Sequence, residues 1–262
     1  MPVIDYQDRD GIALLTINRP AVRNAINSQG VQELHDAWLR FRDDPKARVA
    51  VITGAGDRAF SSGYDLKELR SDPSPANLVR QQEQHGKASG TSPFPADCEV
   101  GKPVIAAMNG VAFAAGAVLA LQSDLRTATP NADIGYPVVR MGRFPPYLHE
   151  FWAYTPPAVA LMSLYTGDAI PAEEAHRVGL YNRIVPHDKL LPTALEIAGK
   201  IRDNPPLVMR AIKQVWDAQF QNQLTRSTRL FYDLARTVQN SEDAVEGHRA
   251  AAEGRKPQWK GR

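Results

Sequence analysis

The hydrophobic pattern of this chain predicts strands and helices alternating at first and helices alone towards the end. Ile12 to Ile17 has period-two character, and with Val3 to Tyr6 it predicts a β-hairpin turning at Asp10-Gly11. Val31, Leu34, Ala37, Trp38 and Phe41 recur at helical spacing, so Asn27-Ser28 should cap a helix that Asp43-Asp44-Pro45 ends. Ala47 to Thr53 and Pro103 to Met108 are continuous apolar runs, as expected of strands covered on both faces, and Asp124 to Ala128 reads as a further strand. Short helices are expected from Leu66, near Ala76 to Gln84 and at Ala172 to Arg177, with a small-residue helix opened by Ala112-Phe113-Ala114-Ala115-Gly116-Ala117-Val118-Leu119. Longer ones are expected over Leu190 to Arg202, Pro205 to Phe220, Leu224 to Gln239 and Ser241 to Glu253. Between Ser71 and Pro95 the chain is rich in Ser, Pro, Gly and Gln without clear period, which reads as a loop or lid. The class is therefore α/β with a helical C-terminal extension.

Bulk properties narrow the function. A chain of 262 residues with 43% hydrophobic and 23% charged residues suits one globular domain with an appendage. A net charge of +2, scattered rather than clustered, argues against nucleic-acid or membrane partners. No apolar run approaches the ~20 residues of a membrane helix. The start Met1-Pro2-Val3-Ile4-Asp5 lacks the basic and apolar regions of a signal peptide. With a single cysteine, Cys98, read as a thiol without function, these features predict a cytoplasmic protein.

Two elements suggest chemistry. In Phe60-Ser61-Ser62-Gly63-Tyr64-Asp65-Leu66 a glycine precedes an expected helix start, and in Ala114-Ala115-Gly116-Ala117 small residues occupy another. Glycine and alanine let backbone approach a ligand, and the first N–H groups of a helix have no internal partner. Two such donors aimed at one point form an oxyanion hole, each worth ~3–4 kcal/mol of barrier. Ser61-Ser62-Gly63 is not a hydrolase elbow, and Gly54-Ala55-Gly56 is not a dinucleotide fingerprint.

In sequence order, Ile17-Asn18-Arg19-Pro20 with Arg23-Asn24-Ala25, Val51-Ile52-Thr53-Gly54, the Phe60–Leu66 element, Lys102-Pro103-Val104-Ile105-Ala106-Ala107-Met108-Asn109-Gly110, Tyr165-Thr166-Gly167-Asp168-Ala169-Ile170, Glu174 to Pro186 and Glu246-Gly247 resemble the crotonase (enoyl-CoA hydratase/isomerase) superfamily. The resemblance implies a crotonase (ClpP-like) fold, a spiral of ββα units over residues 1–200 with a helical trimerisation region over 201–262. It also implies a homotrimer or dimer of trimers, with no permanent cofactor or metal and coenzyme A present as part of an acyl-CoA substrate. By the same resemblance the oxyanion donors are the N–H groups of Tyr64 and Ala115. Arg23, Ala25, Ser62, Leu66 and Lys67 fall around coenzyme A, and Lys260 near a neighbouring subunit's nucleotide.

The departures are as informative. Family members carry three glycines where this chain has Ala114-Ala115-Gly116, and hydratases carry glutamates at the positions of Val118 and Val138. Hydration needs an acid and a base, each worth ~10²–10⁴-fold, and valine supplies neither. The position of an aspartate in one branch of the family falls close to Pro146. His149 beside Glu150 is a candidate acid–base pair, on neighbouring positions of a helix. Tyr136 and Arg140 flank Val138 as candidate donors to substrate, and the Tyr64 phenol is a candidate neighbour of the acyl group. Phe144, Tyr147, Phe151 and Trp152 are expected to line an apolar wall. The expectation is an acyl-CoA lyase, isomerase or hydrolase that does not hydrate ordinary enoyl-CoA. The alternative is a non-catalytic acyl-CoA-binding homologue.

Overall fold

A computed structural model of the chain describes residues 2–65, 90–145, 147–218, 238 and 240–261. The helices expected from Leu66, near 76–84 and over 224–239 lie outside the described residues, as do Leu66, Lys67 and Pro146 themselves.

In chain order the strands are β1 (Ile4–Arg9), β2 (Ile12–Ile17), β3 (Val49–Gly54), β4 (Ala59–Ser61), β5 (Val104–Met108), β6 (Val111–Phe113), β7 (Leu125–Ala128), β8 (Ile134–Gly135) and β9 (Arg183–Ile184). The helices are α1 (Ser28–Asp43), α2 (Ala115–Leu121), α3 (Leu148–Tyr154), α4 (Pro157–Thr166), α5 (Ala172–Arg177), α6 (His187–Arg202), residues 206–218 as α7, and α8 (Glu242–Glu253). The strands form a large sheet in the order β1-β2-β3-β5-β7-β9 and a small one in the order β4-β6-β8. The β1–β2 hairpin is antiparallel and every other pairing within the sheets is parallel. Successive strands alternate between the two sheets, β3 to β4, β5 to β6, β7 to β8. Each turn of the spiral therefore lays one strand in each sheet, the ββα repeat implied by the resemblance.

The apolar runs explain the layering. Ala13, Leu15, Ile17, Ala50 and Ile52 face a core that holds Trp38 and Phe41 of α1. The alternate residues Ile12, Leu14, Val49 and Val51 face Leu190, Ala194 and Ala198 of α6. With each side of β2 and β3 covered, both faces must be apolar, which is why these strands read as unbroken hydrophobic stretches. Asn27 caps α1 by accepting from the N–H of Gly30 at 3.0 Å, as the sequence predicts. At the other end Lys102 donates to the carbonyls of Phe41 and Asp44, at 2.7 and 2.6 Å.

Several sequence expectations need correction. Residues 111–113 form β6 rather than the start of a helix, and α2 begins at Ala115. The small sheet and α4 are absent from the sequence reading, because two- and three-residue strands carry no measurable period and α4 is apolar on several sides. Helix α6 starts at His187, one turn before the expected Leu190. Among the described residues no helix is long and apolar enough to cross a membrane.

Candidate active site

The three strands of the small sheet end side by side, and each end delivers a residue singled out from sequence: Tyr64 after β4, Ala115 after β6, and Tyr136 and Val138 after β8. Parallel strands make this possible, since their carboxyl ends share one edge. Ala114 donates its N–H to Gly135 O at 3.1 Å, tying the second end to the third. Behind them, Asn109 accepts from Gly54 N–H at 3.0 Å and donates to Gly56 O and Ala59 O at 2.7 and 3.1 Å. That asparagine bolts the turn before β6 to the turn before β4.

Tyr64 pairs with Ile26 in an isolated parallel bridge: Ile26 N–H donates to Gly63 O at 2.8 Å and Asp65 N–H to Ile26 O at 2.9 Å. In such a bridge the flanking residues make the hydrogen bonds, so the N–H of Tyr64 itself faces the opposite side. The start of α2 packs against the preceding residue, Gly63. A Cβ on Gly63 would stand 2.9 Å from Phe113 O and 3.2 Å from the nitrogen of Ala115. One on Gly116 would stand 2.2 Å from Ser61 O, so only glycine fits between α2 and β4. Ala115 is the first residue of α2, where an N–H has no acceptor in its own helix. Two main-chain segments, each with a candidate donor, thus abut at van der Waals distance. Ala114 holds φ 51° and ψ −118°, a conformation that a Cβ disfavours by ~1–3 kcal/mol.

The residues assigned to coenzyme A fall into two groups. Arg23 O accepts from Ser62 N–H at 3.0 Å, and Ala25 is buried beside them with its carbonyl held by Arg19 Nη1 at 2.7 Å. Arg19 also pairs with Asp65 at 2.9 Å. The fold therefore gathers Arg23, Ala25 and Ser62 next to Tyr64, with the Arg23 side chain exposed. Lys260 belongs to a different region: it pairs with Glu242 of α8 at 2.9 Å and receives its place from Asp243, which accepts its N–H at 2.6 Å.

Val118 is wholly buried and Val138 half-buried against the same core as Tyr64 and Tyr147. Tyr136 is wholly buried, its ring edge-on to Phe151 at 5.5 Å between centroids. That contact seats α3 over the strand ends. His149 and Glu150 are helical within α3, and their side chains lie outside the described residues. Of the expected apolar wall, Phe151 is buried and Phe144 half-buried, but Trp152 is 43% exposed and does not contribute. Arg140 is a surface tie, paired with Asp168 and donating to Thr166 O at 2.9 Å.

Two charged residues that the sequence reading passed over stand beside Tyr64. Burial raises the pKa of the Tyr64 phenol above the usual tyrosine range, nearby Asp97 raises it further and Arg143 opposes both. Asp97 Oδ2 accepts from Tyr147 at 2.6 Å and from Ser92 at 2.7 Å. Arg143 follows Gly142, whose φ of 67° reverses the chain, and its N–H donates to Val138 O at 3.2 Å. Burial lowers the pKa of its guanidinium. Arg143 is half-buried whereas Arg140 is exposed, a difference that spacing does not predict. Cys98 is buried, and mainly for that reason its thiol is pushed up to about 12, which leaves it a poor nucleophile.

A double-layered ββα spiral with these strand ends defines the class, and the sequence agrees: residues 7–262 match the enoyl-CoA hydratase/isomerase family, to which this chain belongs. It is 35% identical over 264 residues to a protein named carnitinyl-CoA dehydratase from Proteus mirabilis, covering 97% of each chain. To the protein of the same name from Citrobacter koseri it is 37% identical over 254 residues, covering 95% of this chain and 94% of that one. Among solved structures it is similar to carnitinyl-CoA hydratase from Mycobacterium avium, with a TM-score of 0.83 and 34% identity over 100% of both chains.

Proposed function

We propose that the chain is an acyl-CoA enzyme that holds the thioester oxygen between the N–H groups of Tyr64 and Ala115 and so stabilises an enolate or oxyanion. The observation that carries this reading is the contact of Gly63 with Ala115, where a Cβ would lie 3.2 Å from the Ala115 nitrogen. It supports the reading by bringing together the two main-chain segments that carry the proposed donors. In a site closed from water each such hydrogen bond is worth ~3–4 kcal/mol in the transition state. Arg23, Ala25, Ser62, Leu66 and Lys67 are proposed to hold coenzyme A, and Lys260 to serve a neighbouring subunit of a trimer or of a dimer of trimers. Ordinary enoyl-CoA hydration is not the proposed reaction, since Val118 and Val138 stand where the resemblance puts the hydratase glutamates. His149 and Glu150 are the proposed acid–base groups for isomerisation, decarboxylation or hydrolysis of an unusual thioester.

The relatives named for carnitinyl-CoA favour dehydration as a second reading. Against it stand the two valines, Val118 and Val138, at the positions where the resemblance puts the hydratase glutamates.

The test has two arms. Vibrational spectra of bound butyryl-CoA should show the thioester carbonyl stretch lowered from its value in water, as two donors polarise it. Nuclear magnetic resonance in deuterated water should show α-proton exchange catalysed by the protein and abolished in His149→Ala or Glu150→Ala. An unshifted carbonyl overturns the two-donor site. A shifted carbonyl without exchange overturns isomerisation by α-proton abstraction; if acyl-CoA thioesters are also neither hydrolysed nor decarboxylated, the protein is a binder rather than an enzyme.

A further inference from the structure

Ser61, the last residue of β4, touches both main-chain segments that carry the proposed donors. Its carbonyl oxygen lies against α2, so closely that a Cβ on Gly116 would collide with it. Its hydroxyl accepts the N–H of Gly63 at 3.2 Å and donates to Asn24 O at 2.9 Å. The residue is wholly buried. A hydroxyl has one proton to give and two lone pairs to offer, so both bonds are made at once.

Asn24 turns that acceptor into a fixed point. It holds φ 54° next to Arg23 at 55°, a left-handed conformation that asparagine tolerates better than most residues. Its buried amide is engaged at both ends: Oδ1 accepts from Arg19 N–H at 3.0 Å, and Nδ2 donates to Ala55 O and Ala59 O at 2.9 and 2.7 Å. Ser62 N–H on Arg23 O and Asp65 N–H on Ile26 O, at 3.0 and 2.9 Å, fasten the segment from Arg23 to Ile26 alongside the one from Ser61 to Asp65.

Gly63 is thereby held at both ends. Its N–H goes to Ser61 Oγ, and its carbonyl accepts from Ile26 N–H at 2.8 Å. At φ 94° a glycine by itself sets few limits on the peptide that follows it. That peptide carries Gly63 O on one side and Tyr64 N–H on the other, because a planar trans unit sets the two antiparallel. Holding Gly63 at its nitrogen and its oxygen therefore fixes the direction of the Tyr64 N–H. We propose that Ser61 is a positioning residue, whose hydroxyl, anchored on Asn24, aims the Tyr64 N–H at the thioester oxygen. This rests on the two-donor reading above and names what holds one donor in place. Such donors act because they are set before the charge forms, and a displacement of about 1 Å costs ~100-fold in rate.

Vibrational spectra of butyryl-CoA bound to wild type, Ser61→Ala and Ser61→Cys test the assignment, with isothermal titration of coenzyme A on each protein. In Ser61→Ala the carbonyl stretch should lose about half of its wild-type lowering, the share of one donor in two, while the affinity for coenzyme A persists. Ser61→Cys, whose thiol is a weaker donor and acceptor at the same place, should fall between the two. In the wild type without ligand, nuclear magnetic resonance should show the Gly63 amide proton exchanging slowly with solvent. A Gly63 amide that exchanges as fast as in an unfolded peptide overturns the assignment, even if the variants fail to fold. A wild-type shift that Ser61→Ala leaves unchanged overturns the assignment alone. A loss of shift that is accompanied by a loss of affinity for coenzyme A also overturns it, by making Ser61 a support of the whole site. An unshifted carbonyl in the wild type overturns the two-donor reading as well.

Discussion

Gly63 and Ala114 face each other with both backbones at positive φ, 94° and 51°, and a Cβ on Gly63 would lie 3.0 Å from that of Ala114. The two residues solve one problem unequally. Glycine takes its conformation at no steric cost, whereas Ala114 holds a conformation suited to glycine with a side chain in place. Ala114→Gly should therefore stabilise the protein or leave it unchanged, since ~1–3 kcal/mol of relieved strain competes with ~1 kcal/mol of added unfolded-state entropy. Gly63→Ala should cost more than ~2 kcal/mol, because strain and the clash with Phe113 O add, and it should displace the Ala115 nitrogen. Urea titrations of both variants check the stabilities. A Gly63→Ala protein as stable as wild type would contradict the packing described.

Crotonyl-CoA should be hydrated more slowly than by family hydratases by ~10⁴-fold or more, the combined worth of an acid and a base. Replacing the buried Val118 by Glu should not recover the activity. The core around that position offers apolar contacts, and a carboxyl there stays protonated or destabilises the fold by ~3 kcal/mol. Loss of enoyl absorbance with crotonyl-CoA, together with thermal melts of Val118→Glu, tests both statements. Brisk wild-type hydration would show that a proton-handling group has been supplied from elsewhere.

Long-range order in this fold was legible wherever one face of an element had to be apolar for its whole length. Helix α1 and strands β2, β3 and β5 fall where periodicity puts them, because Trp38, Phe41, Val51 and Ile105 are committed to cores with no polar alternative. Illegible were the elements whose identity is set by a neighbour. Strand β6 is three residues long and pairs with β4 and β8, so Val111 to Phe113 looks like the opening of the helix that follows. The site divides in the same way. Tyr64, Ala115 and Val138 stand out as candidates through glycines, small residues and resemblance, all local signals. Asp97 and Arg143 reach Tyr64 only after the chain has folded, one from the segment before β5 and the other past the turn at Gly142.

Lys213 should make stability depend on pH in the alkaline range. It fastens α7 to Asp124, which also accepts the N–H of Val104 at 2.8 Å, and it pairs with Asp217 within α7. Burial disfavours its ammonium, but Asp124 and Asp217 outweigh that and raise its pKa above the ordinary lysine value. A raised folded-state pKa means that the stabilisation is complete below the unfolded value of ~10.4 and disappears as pH climbs through the folded one. Lys213→Met should lower stability by ~1–3 kcal/mol at neutral pH, and the gap from wild type should close in strong alkali. Chemical denaturation of both proteins across that range measures the gap; a difference independent of pH would assign Lys213 a packing role alone.

Self-association is the expected destination of the apolar surface on α4 and α7. Leu207, Ile212 and Val215 are 77%, 60% and 71% exposed, and Met162 and Tyr165 are 67% and 82% exposed. Side chains of this size seldom face water in such number along one helix unless another surface covers them, since each gains ~1.5–3 kcal/mol on burial. These positions on α7 are spaced by five and then three residues, which spreads them over a broad face rather than a narrow seam. Sedimentation equilibrium should therefore find a trimer or a multiple of one. Ile212→Asp with Val215→Lys should shift it to monomer while leaving the far-ultraviolet circular dichroism in place. A wild-type monomer at micromolar concentration would mean that this face meets something other than a second copy of the chain, and would remove the basis for placing Lys260 beside a neighbouring subunit's nucleotide.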